Sequence, residues 1–189
     1  MNIVVYCGAS KGNDPAYQQA AKKLGEWIVE QKHTLVYGGG KIGLMRVIAD
    51  TVIKGEGEVI EVIGVMPQFL MERELAHTNL TKMYSVHTMA ERKQKMLDLG
   101  DVCIALPGGP GTLEEITEMI SWSRIGQNPN PCILFNENGF YEPLRDLYDN
   151  MVKNDFLTQT DRDKTLFSNS LKEINQFIID YVPAEVRRY

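Results

Sequence analysis

Short apolar runs alternate with helical patterns from one end of the chain to the other. Runs rich in valine and isoleucine lie at 3–6, 34–37, 59–65, 82–86, 102–106 and 132–135. Most are nearly continuous in apolar character, as strands buried on both faces are. Between them the period changes to that of a helix. The first helix is well marked: Asp14 stands as N-cap, Pro15 opens the first turn, and Tyr17, Ala20, Ala21, Leu24 and Ile28 fall on one face. Further helices are expected near 43–54, 89–99, 112–124, 140–153 and 170–181, the last capped by Ser170. This alternation predicts an α/β fold, a doubly wound parallel sheet with helices on both faces, in a single domain over 1–189.

Composition narrows the class. The 189 residues are 43% hydrophobic and 24% charged, enough for a sizeable core. No apolar run approaches the ~20 residues of a membrane span. The start, Met-Asn-Ile-Val-Val-Tyr, lacks a basic segment before an apolar one, so no signal peptide is expected and the cytoplasm is the default. A net charge of −5 argues against a nucleic-acid polymer as partner, though not against one small phosphorylated ligand. Cys7, Cys103 and Cys132 are far apart and read as reduced core thiols. His33, His77 and His87 lack ligand spacing, so no metal is expected.

In parallel α/β sheets, ligands bind beyond the carboxyl ends of the strands. Three of those ends are glycine-rich: residues 7–12, 38–45 and 105–115. Gly38-x-Gly40-x-x-Gly43 has the form of a dinucleotide fingerprint, but it follows the second strand. The acidic residue that should end the next strand is missing, since Glu61 falls inside the run 59–65. No GxxxxGK[ST] occurs. These turns therefore suit a mononucleotide or a sugar phosphate. The third turn, Ala-Leu-Pro-Gly-Gly-Pro-Gly-Thr-Leu-Glu-Glu, has two readings. Thr112 and Glu115 have the spacing of a capping box. Alternatively, the loose turn presents free N–H groups and a helix N-terminus to a phosphate.

The segment 89–99 poses a second question. At 100° per residue Met89, Met96, Leu97 and Leu99 form an apolar stripe, and Arg92 and Lys93 fall within it. Cations on that face are costly unless paired. Either they snorkel or meet a carboxylate, or Arg92 reaches into the crevice toward an anion. Glu115 is ambiguous in the same way. A carboxylate beside a phosphate does not help binding, yet it helps if positive charge develops on the substrate, as in cleavage of a ribosyl bond.

The stretches "YGGGKIGLM", "RELAH", "ERKQKM" and "LPGGPGTLEE" together resemble the LONELY GUY (LOG) family, also labelled lysine decarboxylase-like. Its signature PGGxGTxxE is matched by Pro107 to Glu115, and the resemblance runs over about residues 2 to 160. The resemblance implies a Rossmann-like fold, usually a homodimer, that hydrolyses a nucleoside 5′-monophosphate at its N-glycosidic bond. AMP or its N6-modified forms would yield free base and ribose 5-phosphate, with no cofactor. By motif, Arg92 and Glu115 would be the catalytic pair. Gly8, Ser10, Gly39, Gly40, Gly43, Met45, Lys93, Gly108, Gly109, Gly111 and Thr112 would hold phosphate and ribose, and Glu74 would lie near the adenine. One position departs: the family usually reads GGGxxGLMG, and here the last glycine is Arg46. A pyridoxal-phosphate lysine, which a decarboxylase of that type would need, does not stand out. The rival reading is a binding module, as in molybdenum-cofactor carriers, which use similar glycine-rich strand ends without hydrolysis.

Overall fold

The computed structural model describes residues 1–55, 60–73 and 75–186. In chain order these form β1 (Asn2–Tyr6), α1 (Pro15–Glu30), β2 (Thr34–Tyr37), α2 (Gly43–Ile53), β3 (Val62–Pro67), α3 (Gln68–Met71), β4 (Lys82–Val86) and α4 (Met89–Leu99). There follow β5 (Val102–Ala105), α5 (Pro110–Ser123), β6 (Cys132–Phe135), α6 (Glu142–Lys153), α7 (Gln159–Arg162), β7 (Thr165–Ser168) and α8 (Leu171–Asp180). The seven strands make one sheet in the order β4-β3-β2-β1-β5-β6-β7, and every pairing is parallel. Ile3 pairs with Leu35 on one side and Val102 on the other, so β1 lies at the centre.

Alternation along each strand feeds two apolar layers. Ile3 and Val5 pack with Ala20, Leu24 and Ile28 of α1, Ile48 of α2 and Ile174 of α8. Val4 and Tyr6 pack with Met96 of α4, Ile116 and Met119 of α5 and Tyr148 of α6. The sheet is thus covered on both faces, as the continuous apolar runs require. The three cysteines are unbonded and buried. Among the described residues no helix is long and apolar enough to cross a membrane.

The helix starts follow the expected chemistry. Asp14 Oδ1 accepts from the Ala16 N–H at 2.8 Å, and Ser170 Oγ accepts from the Glu173 N–H at 3.4 Å. Several elements differ from expectation, α3 and α7 among them, which were not foreseen. The third strand starts at Val62 and runs through Pro67, because pairing of Leu35 with Val62 and of Val86 with Pro67 fixes its register. Glu61 therefore precedes the strand, and Val59, where it was expected to begin, lies outside the described residues. A seventh strand, β7, went unforeseen: Thr-Leu-Phe-Ser is only four residues long and is held by parallel pairing to β6. The fifth helix begins at Pro110, not Thr112, with Gly109 at the N-cap position.

Strand order reverses between β1 and β5, which sets the crevice there. Its lips are tied by backbone bonds. The Gly8 N–H donates to Pro107 O at 3.2 Å, Leu106 N–H to Tyr6 O at 2.9 Å, and Leu44 N–H to Gly8 O at 3.0 Å. The Tyr141 hydroxyl donates to Leu106 O at 2.8 Å and anchors the third turn from below. Gly43 is where the first two turns meet. It has φ +60°, and a Cβ there would overlap the Ala9 carbonyl. Gly43→Ala should destabilise the fold by at least about 2 kcal/mol, a drop of roughly 4–8 °C in Tm, measurable by thermal denaturation. An unchanged Tm would mean that the two turns are not locked together.

Candidate active site

α5 carries its acid where a core residue belongs. Thr112, Glu115, Ile116 and Met119 are buried and spaced at i, i+3, i+4 and i+7, one face of a helix. Glu115 is the sixth residue of the helix rather than its third, so it closes no capping box, and Gly109 makes no side-chain cap bond. α4 repeats the pattern with a cation. Arg92 follows Met89 by three residues and precedes the fully buried Met96 by four.

The two side chains meet on the floor of the crevice. Arg92 Nη1 lies 3.5 Å from Glu115 Oε1, and the side chains are only 11% and 8% exposed. Arg92 Nε donates to Val65 O, near the end of β3, at 3.1 Å, which fixes the guanidinium plane. Gly38 lies directly against Nη2, so any side chain at 38 would displace the guanidinium. Glu115 Oε1 has no hydrogen-bond partner among the described residues. Burial raises its pKa above the ordinary carboxylate value; Arg92 pulls it back, while Glu114 and Glu118 push it up and Lys93 pulls it down. A buried carboxylate that lines the cleft and is held by one guanidinium can face a new positive charge there.

Around this pair is a cleft of about 320 Å³. Of the expected site residues, Gly8, Gly40, Met45, Arg92, Gly109, Gly111, Thr112 and Glu115 line it. A Cβ on Gly109 or Gly111 would touch nothing within 4 Å, so the first turn of α5 is open to a ligand. Ser10 and Gly108 line an adjoining cavity of about 290 Å³ that shares Gly8, Ala9 and Gly109 with the cleft. Gly39, with φ +73°, packs against Met83 and Gly64, so its place is structural, as is that of Gly43. Glu74 lies outside the described residues. A depression of about 1,030 Å³ beside α7 and the segment 182–186 precedes β7 and so lies at the wrong end of the strands for such a site.

Lys93 does not reach the cleft. Its ammonium pairs with Glu114, and with Glu118 Oε2 at 2.7 Å, which binds α4 to α5. Of the two cations on the inner stripe, one is thus a paired lysine and the other enters the crevice. Cys7 lines the cleft, but burial pushes its thiol well up, which disfavours the thiolate a nucleophile needs. Arg46 crowds nothing: it is exposed and its Nε pairs with Asp50 Oδ2 one turn on, at 3.3 Å.

Sequence reasoning missed the apolar wall. Ile42, Met66, Leu70, Leu75 and Met89 complete the cleft, and only Met45 of that wall was foreseen. Leu75 is placed by a short strap: Lys41 N–H donates to Leu75 O at 2.9 Å and His77 N–H to Gly39 O at 2.8 Å. His77 Nε2 in turn lies 3.0 Å from Asp50 Oδ1. Nothing local in the sequence marks that fold-back.

Comparison with known proteins decides the family. Residues 45–178 match the family described as possible lysine decarboxylase. Cytokinin riboside 5′-monophosphate phosphoribohydrolase LOG1 of Arabidopsis thaliana is 41% identical over 181 residues, 96% of this chain and 84% of that protein. The chain belongs to the LOG family. The cytokinin riboside 5′-monophosphate phosphoribohydrolase of Rhodococcoides fascians is 38% identical over 90% of this chain and 85% of its own. Among solved structures, the molybdenum cofactor binding protein of Rippkaea orientalis superposes with a TM-score of 0.68 at 22% identity, over 94% of each chain. That likeness shows a shared Rossmann-like fold, the architecture this LOG-family chain was expected to have.

The pKa of Glu115 makes a testable statement about stability. Its folded value lies above its unfolded value. Between the two, the folded chain holds a proton that the unfolded chain has released. The stability this adds is complete below the unfolded pKa and is lost as pH rises through the folded one. Compared with Glu115→Gln, the wild type should therefore lose Tm progressively as pH rises past the ordinary carboxylate value of about 4. Parallel Tm curves over that rise would contradict the burial of an ionising group at this position.

Proposed function

We propose that this chain hydrolyses the N-glycosidic bond of adenosine 5′-monophosphates, with preference for those alkylated at N6, releasing free base and ribose 5-phosphate. The observation that carries the reading is the buried Arg92–Glu115 pair lying beside the open turn at the start of α5. The 5′-phosphate sits on the N–H groups of Gly109, Gly111 and Thr112, where the helix N-terminus favours an anion. The ribose then lies over the pair. As the bond from C1′ to the base breaks, its electron pair leaves with the base and positive charge spreads over C1′ and the ring oxygen. Glu115, whose ionised form Arg92 favours against the opposing effect of burial, faces that charge and orients the water that adds to C1′, and the proton this water sheds is taken up by the departing base. Arg92 holds the carboxylate and the ribose phosphate in register. Lys93 acts one step back, by clamping α4 to α5 and adding positive charge near Glu115.

The base end supports the alkylated substrate. Met45, Met66, Leu70, Leu75 and Met89 give that end an apolar wall that an alkyl group on N6 would cover. We also take the protein to act in the cytoplasm, since its unbonded cysteines suit a reducing compartment. We extend the reading to a homodimer that shields the cleft. Met96 of α4 is spent in the core, but Met89 and Leu113 remain exposed at 38% and 42% beside the site. Light scattering coupled to size exclusion should give twice the chain mass; a monomer would remove that part.

The deciding experiment is chromatographic. Purified protein is incubated separately with AMP and with isopentenyladenosine 5′-monophosphate, and free base and ribose 5-phosphate are measured. Both should form, faster from the alkylated nucleotide. Glu115→Gln should lower kcat roughly 10²-fold or more, and Leu75→Ala should narrow the preference by roughly tenfold. Tight binding without base release from either nucleotide would instead support the binding-module reading.

A further inference from the structure

A second groove, of about 800 Å³, runs between α1 and α2. Its cations come from four separate parts of the chain: Lys11 after β1, Lys22 on α1, Lys41 after β2, and Arg46 on α2 with Lys54 just past its end. All five are exposed. Against them stands, among the described residues, a single lining carboxylate, Asp50, already occupied by Arg46 at 3.3 Å and His77 at 3.0 Å. None of the four lysines has an ion-pair partner among the described residues. In a chain whose net charge is −5, so one-signed a groove is out of keeping with a merely solvated surface.

We propose that this groove is a second anion site, distinct from the cleft, that takes a compact oligophosphate: a chain of linked phosphates, free or on a nucleoside. Arg46 and Lys54 stand eight residues apart, roughly 12 Å along the α2 axis. Cations spread along a groove in this way are matched by several linked phosphates more fully than by one. A nucleic-acid polymer is disfavoured by the overall acidity, and among the described residues the groove offers no aromatic side chain on which a base would stack. Ile42 lines both the groove and the cleft, and Lys11 lines both the groove and the cavity beside Gly108, so an occupant would sit against the rim of the first site. Arg46, the departure from the family pattern, thereby acquires a role.

The test is calorimetric titration of the full-length protein with tripolyphosphate, with ATP and with adenosine, at near-physiological ionic strength. Tripolyphosphate should bind at one site and remain bound when ribose 5-phosphate is present in excess. Lys22→Glu with Lys54→Glu, both exposed and away from the cleft, should weaken that binding about tenfold or more while leaving Tm and base release unchanged. ATP binding as tightly as tripolyphosphate, with adenosine silent, identifies the phosphate chain as the recognised group. ATP binding more tightly adds a nucleoside contact. Absence of binding by the wild type, displacement by ribose 5-phosphate, or equal affinity in the double variant would overturn the proposal. Because the readout is binding and not turnover, its failure is distinguishable from failure of the hydrolase reading.

Discussion

A guanidinium and a carboxylate, both withdrawn from water, face one another across the end of the sheet, and the crevice is built around them. Arg92 leaves α4, is fixed by the carbonyl of Val65, and crosses Gly38 to reach Glu115 on α5. Neither charge is tolerable there alone. Removing one partner from a buried pair typically costs about 3–5 kcal/mol, unless the survivor changes its protonation. The surroundings leave the carboxylate that option, since burial already raises its pKa. The carboxylate is therefore set between two opposed influences, burial that favours its neutral form and Arg92 that favours its ionised one. Such a balance suits a group whose task is to meet a charge that appears only during reaction.

The glycine turns follow from the same constraint. A ligand can touch the pair only if the backbone of three strand ends stands back. Gly38 makes room for the guanidinium, Gly43 for the carbonyl of Ala9, and Gly109 and Gly111 leave the start of α5 bare. The doubly wound topology brings these turns together, because strand order reverses between β1 and β5. Fold and site thus share one cause. Lys93 of α4 with Glu114 and Glu118 of α5, none of which enters the cleft, clasps the two helices that deliver the pair.

Much of this was legible in the sequence. Continuous apolar runs disclosed a parallel sheet, and the charged positions within helical stripes disclosed Arg92. The same periodicity applied to 112–119 places Glu115 on a core face, a stronger sign than the capping-box spacing that competed with it. What stayed hidden depends on pairing across space. β7 is four residues long and exists by virtue of β6. The start of β3 is set by its neighbours in the sheet rather than by its own hydrophobicity. Lys93 was grouped with Arg92 by angle, yet the acids that claim it lie on another helix. The apolar wall around Leu75 comes from a fold-back held by backbone bonds, to which the side-chain pattern is blind.

The central claim is that Arg92 and Glu115 work as one unit on the breaking glycosidic bond. A double-mutant cycle on kcat, with Arg92→Ala, Glu115→Gln and both together, measures that coupling directly. If the pair is a unit, the double variant should be no slower than the slower single variant, because the first change has already removed what the second would take. Losses that multiply, with kcat of the double variant equal to the product of the two separate effects, would contradict it and leave two independent residues that merely lie close together.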